Sequence, residues 1–134
     1  MKISCPKCAL ILGLMLCVFP LQAKKTKYVT LKPDDFKVKI EQTVNPCVID
    51  VRSAGDFEFG HISGAINLNH NELQFISELK RQCSNTDDPI FVYCNLGKTS
   101  KLAAQKIVEN GFTNVYNLKG GVMAWRKKFS LVTE

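Results

Sequence analysis

Two runs of this chain leave little choice of fold. Cys47-Val48-Ile49-Asp50-Val51 and Ile90-Phe91-Val92-Tyr93 are nearly all apolar. Strands patterned in this way must be covered on both faces, as in a parallel sheet with helices on either side. The second run leads, within a few residues, to an amphipathic segment at residues 101–110. Leu102, Ala103 and Ile107 share one face of it, and Lys101, Gln105 and Glu109 another. Thr99 or Ser100 is suited to cap its start. Gly111 is suited to close it, with Phe112 packing back.

The rest of the chain repeats the alternation. Residues 28–31 read as a short strand, and Pro33 with Asp34 and Asp35 suits the first turn of a helix whose core face carries Phe36 and Ile40. Val44-Asn45-Pro46 is a turn. Residues 56–59 read as a short helical turn ended by Gly60, and residues 65–68 as a strand. Asn71 is placed to cap a helix through about Arg81 with Leu73, Ile76 and Leu79 inward. Residues 114–118 read as a last strand, Gly120-Gly121 as a turn, and residues 122–129 as a short helix. Strands alternating with helices predict one α/β domain with a mostly parallel sheet. Ligands of such sheets bind beyond the carboxyl ends of the strands. Arg52 and Cys94 both sit there.

The junction Cys94-Asn95-Leu96-Gly97-Lys98-Thr99-Ser100 carries the chemistry. A tight loop entering a helix turns several backbone N–H groups into one small space, a ready anion site. A cysteine at its start is favoured as the thiolate, which is the nucleophile. Gly97 gives the loop backbone freedom. Lys98 adds positive charge, and Thr99 and Ser100 add hydroxyl donors. The stretch predicts a thiolate facing an anionic substrate or carrying an anionic covalent product. The plainer alternative is a buried cysteine that ends a strand.

The 134-residue chain begins with a different kind of segment. Lys2 and Lys7 precede an apolar run at residues 9–19, which is short for a membrane span. Pro20 breaks it, and Leu21-Gln22-Ala23 precedes Lys24 as a cleavage site. Residues 1–23 are therefore expected to be a signal peptide, and residues 24–134 the mature domain, periplasmic or secreted, with no stable membrane association after cleavage; an uncleaved membrane anchor is the minor alternative. Cleavage lowers Lys+Arg from 18 to 16 against 12 Asp+Glu, leaving a net charge of +4. That surplus suits small anions. No basic stripe with interleaved aromatics is present, so nucleic acid is not an expected partner. Three cysteines remain: Cys47, Cys83 and Cys94.

Three segments, in this order and spacing, resemble the rhodanese family. They are Val48-Ile49-Asp50-Val51-Arg52 with Asp56-Phe57-Glu58-Phe59-Gly60-His61-Ile62-Ser63-Gly64-Ala65-Ile66-Asn67, then the Cys94 to Ser100 loop, then Leu118-Lys119-Gly120-Gly121-Val122-Met123-Ala124-Trp125. The resemblance spans nearly all of residues 24–134. It implies a rhodanese-like α/β fold, a five-stranded mostly parallel sheet flanked by helices. It implies a thiosulfate sulfurtransferase-like transferase with Cys94 as the catalytic residue. Sulfane sulfur would pass from thiosulfate, a polysulfide or a persulfide, through a Cys94 persulfide, to cyanide, a thiol or a partner protein. The substrate would be held by Asn95, Leu96, Gly97, Lys98, Thr99, Ser100 and Arg52. No metal and no cofactor is implied, and the protein is expected to act as a monomer. One departure bears on the donor: many thiosulfate-using members carry two basic residues in this loop. Here Asn95 and Leu96 are uncharged and Lys98 is the loop's cation. By the same resemblance His61 is expected to pin a loop by hydrogen bonding, and Asp50 with Arg52 to form a structural ion pair. His70 matches no family position and reads as solvent-exposed. Trp125 reads as core.

If the family fold makes the two apolar strands neighbours, Cys47 and Cys83 lie together at the sheet end away from Cys94 and can form a disulfide. Two independent thiols are the alternative. Two other functions remain open on this fold. A phosphatase or arsenate reductase places an arginine six positions after the cysteine to grip a tetrahedral oxyanion, where this chain has Ser100. A non-catalytic binding module is the other, although Cys94 is retained.

Overall fold

The computed structural model describes residues 27–133. The segment read as a signal peptide lies outside them. In chain order the elements are β1 (Val29–Leu31), α1 (Pro33–Glu41), β2 (Cys47–Asp50), α2 (Ala54–Phe59), β3 (Ala65–Asn67), α3 (Phe75–Gln82), β4 (Ile90–Tyr93), α4 (Thr99–Glu109), β5 (Val115–Leu118) and α5 (Gly121–Trp125). The strands form one sheet in the order β1-β5-β4-β2-β3, with every strand pairing parallel. The expected α/β architecture is present.

β4 is central, and all four of its residues are buried. Its side chains alternate between the two faces. Ile90 and Val92 enter the layer beneath α3 and α4, with Phe75, Leu79, Ala103, Ala104, Ile107 and Val108. Phe91 and Tyr93 enter the layer beneath α1 and α5, with Phe36, Val122 and Trp125. Phe36 meets Phe91 and Trp125 edge-on, at ring centroid distances of 5.4 and 6.3 Å. Alternation then sends Cys94 into the first layer.

Several expected boundaries move. α3 begins at Phe75 rather than Asn71, so Leu73 falls in the preceding turn and is 96% exposed. Phe75 and Leu79, one helical turn apart, are the buried pair. On α4 the buried stripe is Ser100, Ala103, Ala104, Ile107 and Val108, and Leu102 is 69% exposed. The two alanines let the helix lie close to the sheet. α2 starts earlier than expected because Ser53 caps it, its side chain accepting a hydrogen bond from the Asp56 N–H. α5 ends at Trp125, sooner than residue 129.

Cys47 and Cys83, 36 positions apart in sequence, are joined by a disulfide, with their α-carbons 6.3 Å apart. Cys47 opens β2 and Cys83 closes α3. The bridge therefore ties that helix to the sheet. A closed loop of this length restricts the unfolded chain by roughly 4 kcal/mol in the chain-entropy description. Replacing both cysteines by alanine is expected to lower unfolding free energy by about 2–4 kcal/mol. Urea unfolding with and without reductant checks this: reductant should destabilise the native protein and leave the double variant unchanged.

Candidate active site

The chain order places a switch point between β2 and β4. From β2 the chain runs outward to β3, and from β4 it runs the other way to β5. A crevice opens at the carboxyl ends of strands at such a point. The register pairs Asp50 with Tyr93, so the residues that follow, Arg52 and Cys94, meet there. They line a cleft of about 360 Å³ with Asp56, His70, Asn95, Leu96, Lys98 and Thr99 among others.

Cys94 is 5% exposed and is the free cysteine among the described residues. The Gly97 N–H donates to its sulfur at 3.1 Å and the Ser100 N–H at 3.2 Å. The Ser100 hydroxyl lies 3.2 Å from the same sulfur. Three polar groups thus converge on Sγ, at the N-terminus of an 11-residue helix. This arrangement stabilises negative charge on the sulfur or on an atom bonded to it. Contrary to the expectation from sequence, neither Thr99 nor Ser100 caps α4. Lys98 occupies the cap position, without a side-chain bond. The Cys94 sulfur accepts an N–H of the first turn instead.

The loop is held from behind. Val122 N–H donates to the Cys94 carbonyl at 2.8 Å, and Met123 N–H to the Asn95 carbonyl at 3.1 Å. With the carbonyls drawn toward α5, the following N–H groups turn to the sulfur. Gly97 (φ 82°) and Gly121 (φ 61°) permit the contact. A Cβ on Gly121 would stand 2.4 Å from both the Cys94 and Asn95 carbonyl oxygens. The sequence marks Gly120-Gly121 as a turn and gives no sign of this clamp.

Arg52 is held by Asp50. Its Nε lies 3.0 Å from both carboxylate oxygens, and Nη2 donates at 2.6 Å to Oδ2 and at 2.7 Å to the Gly60 carbonyl. Asp50 is fully buried. Burial opposes the charge on Arg52, but the bonds to Asp50 and its charge outweigh burial and raise the guanidinium's proton affinity. Nη1 is left toward the Asn95 side-chain oxygen, at a long 3.5 Å. Tyr93 shares the cluster: its hydroxyl oxygen accepts from the Ile62 N–H at 3.0 Å. Burial, with the Asp50 charge, pushes that phenol's pKa far up, so it stays neutral. The cluster fixes the loop after β2 against the loop after β4.

His61 is buried and away from the cleft. Its Nδ1 lies 2.9 Å from the Phe57 carbonyl, its ring stacks on Phe57 at 3.7 Å, and its backbone pairs with Val132. It pins α2 to the tail. Phe129 packs on Trp125 at 4.7 Å, with no part in the Cys94 cleft. His70, expected in solvent, is instead half-buried on the cleft wall.

The family model described as Rhodanese-like domain matches residues 32–128. The chain belongs to that family. It is 37% identical over 91 residues to the thiosulfate sulfurtransferase GlpE of Shewanella oneidensis, covering 67% of this chain and 85% of that protein. It is 38% identical over 101 residues to the protein YqhL of Bacillus subtilis, covering 74% and 73% of the two. Among solved structures, a rhodanese-related protein from Thermoplasma volcanium superposes with a TM-score of 0.62 at 25% identity, covering 80% of this chain and all of that one. The rhodanese fold inferred from the three sequence segments is the fold of the family.

Proposed function

We propose that this rhodanese-like domain is a sulfurtransferase that carries sulfane sulfur on Cys94. The observation that supports it best is the sulfur itself, met at 3.1 and 3.2 Å by two backbone N–H groups on the floor of an open cleft. The Cys94 thiolate attacks the sulfane sulfur of thiosulfate, or of a polysulfide or persulfide. A new S–S bond forms as the old one breaks. With thiosulfate, sulfite leaves with the bonding electron pair and the persulfide keeps one negative charge. Cyanide or an acceptor thiolate then takes the outer sulfur and returns the Cys94 thiolate. The Gly97 and Ser100 groups favour the charged sulfur before and after the first step.

Export belongs to the same proposal. The basic start and apolar run of residues 1–23 suit a signal peptide, and a Cys47–Cys83 bridge suits an oxidising compartment. The oxyanion-gripping alternative lacks its arginine, since no arginine occurs between Cys94 and Arg126.

The test is the intact mass of the domain after incubation with thiosulfate or polysulfide. A gain of one sulfur atom, removed by cyanide with formation of thiocyanate, is expected. An unchanged mass with every donor overturns the proposal.

Lys98 is exposed at the cleft. Lys98→Ala is expected to raise KM for thiosulfate about threefold at low salt, with the difference shrinking as ionic strength rises. Steady-state kinetics at two salt concentrations checks this. An equal effect on a neutral donor would remove Lys98 from the charge-attracting role.

A further inference from the structure

The histidine on the cleft wall has an unusual setting. His70 lies in the turn between β3 and α3, and its ring lines the cleft that holds Cys94. Its Nδ1 is enclosed and has no hydrogen-bond partner among the described residues. Nε2 is not enclosed in this way, and the residue lines the cleft.

An imidazolium here would carry an N–H on both nitrogens, one of them buried with no acceptor. A buried N–H without an acceptor is among the rarest states in folded proteins. Burial, and then the charge of Lys106 on α4, both lower the proton affinity of the ring. The neutral ring has two tautomers. An enclosed bare lone pair is the less costly choice for Nδ1, so the proton resides on Nε2. The ring then offers the cleft a donor without a positive charge.

The rest of the cleft shows what that donor meets. The Cys94 end already has its donors in the Gly97 and Ser100 N–H groups, with the serine hydroxyl beside the sulfur. Arg52, the guanidinium of the wall, commits Nε and Nη2 to Asp50 and Gly60, and its Nη1 faces Asn95. Asp56 adds a negative charge to the same wall, and Lys98 a positive one. A sulfur donor with oxygens beyond its sulfane sulfur needs hydrogen bonds farther out than the persulfide cradle. Asn95 and Leu96 supply no charge there.

We propose that His70 is a substrate-binding residue, its Nε2–H donating to the outer oxygens of a sulfonate-type sulfur donor whose sulfane sulfur lies at Cys94. This rests on the sulfurtransferase reading and assigns that reading a donor class: an anion with an oxygen-bearing leaving group, as in thiosulfate. A bare polysulfide chain would gain nothing from this contact.

Thiosulfate titrated into Cys94→Ser protein, followed by amide NMR shifts, measures binding without turnover. His70→Ala added to that variant is expected to weaken Kd about tenfold, the loss of one hydrogen bond to a charged group. His70→Gln, which keeps an N–H near the Nε2 position, should return Kd to within about threefold. The Gly97 and Ser100 amide shifts without thiosulfate should match in all three proteins, showing the cradle undisturbed. Equal Kd values with alanine, or glutamine as weak as alanine, or no thiosulfate binding at all, overturn the assignment. The two ideas fail separately. If no donor loads sulfur onto the native protein while thiosulfate binding still depends on His70, the sulfurtransferase reading falls and the anion contact stands. If sulfur loads but binding ignores His70, only the His70 assignment falls.

Discussion

Cys94→Ser is expected to fold as the native protein does and to lose sulfur transfer entirely. The oxygen of serine is smaller than sulfur but still accepts from the Gly97 and Ser100 N–H groups, so the loop keeps its bonds. Stability should stay within about 1 kcal/mol of native. Turnover should fall at least about 1,000-fold, as it does when a covalent nucleophile is removed. A hydroxyl at neutral pH has no thiolate-like form to attack a sulfane sulfur. Thiocyanate formation from thiosulfate and cyanide, with intact mass for sulfur uptake, measures the loss; thermal unfolding checks the fold. Substantial turnover in a folded serine variant would place the chemistry elsewhere.

Gly121→Ala should disable the site without touching a reacting atom. The backbone at Gly121 has φ 61°, and an added Cβ would stand 2.4 Å from the carbonyl oxygens of Cys94 and Asn95. Those oxygens are backbone and cannot swing aside as a side chain would. Relief requires the loop and α5 to separate, which breaks the bonds from Val122 and Met123 N–H. The carbonyls then turn, and the Gly97 and Ser100 N–H groups leave the sulfur. Turnover is expected to fall about 100-fold, the scale of losing one well-placed backbone donor to a reacting anion. The left-handed backbone alone adds about 1–3 kcal/mol of destabilisation. Gly111→Ala is the control: its φ is 98°, but an added Cβ meets nothing within 4 Å. It should lose stability and keep turnover. Equal activity losses in the two variants would show that general destabilisation, rather than the clamp, was being measured.

Much of this was legible in the chain. β2 and β4 announce themselves because strands covered on both faces must be apolar throughout. The junction after β4 could be located because a cysteine, a glycine and hydroxyl residues crowd the entry to a helix. The cap of α4 was misread for an informative reason. Thr99 and Ser100 have the side chains of caps, but the Cys94 sulfur takes the first-turn N–H of Ser100 that a cap would otherwise satisfy. Leu73 and Leu102 were misplaced through helix phase. A start at Phe75 puts Leu73 outside α3, and the close seat of Ala103 and Ala104 turns Leu102 outward. His70 and the Gly121 clamp were invisible for a common cause. Both depend on where a turn lands against a distant part of the chain, and periodicity carries no record of that.

The sheet also sets where the sulfur can go. The bridge from Cys47 lies where β2 enters the sheet, and Cys94 lies where β4 leaves it. About four residues of strand, roughly 13 Å, separate the two levels. Among the described residues no second thiol stands within reach of a sulfur atom carried on Cys94. Enzymes with a nearby resolving cysteine close an internal disulfide and discharge their cargo at once. Among the described residues no thiol offers such an internal discharge. On the proposed sulfurtransferase reading, a domain loaded at Cys94 is a reservoir whose lifetime is set by the supply of acceptors outside it.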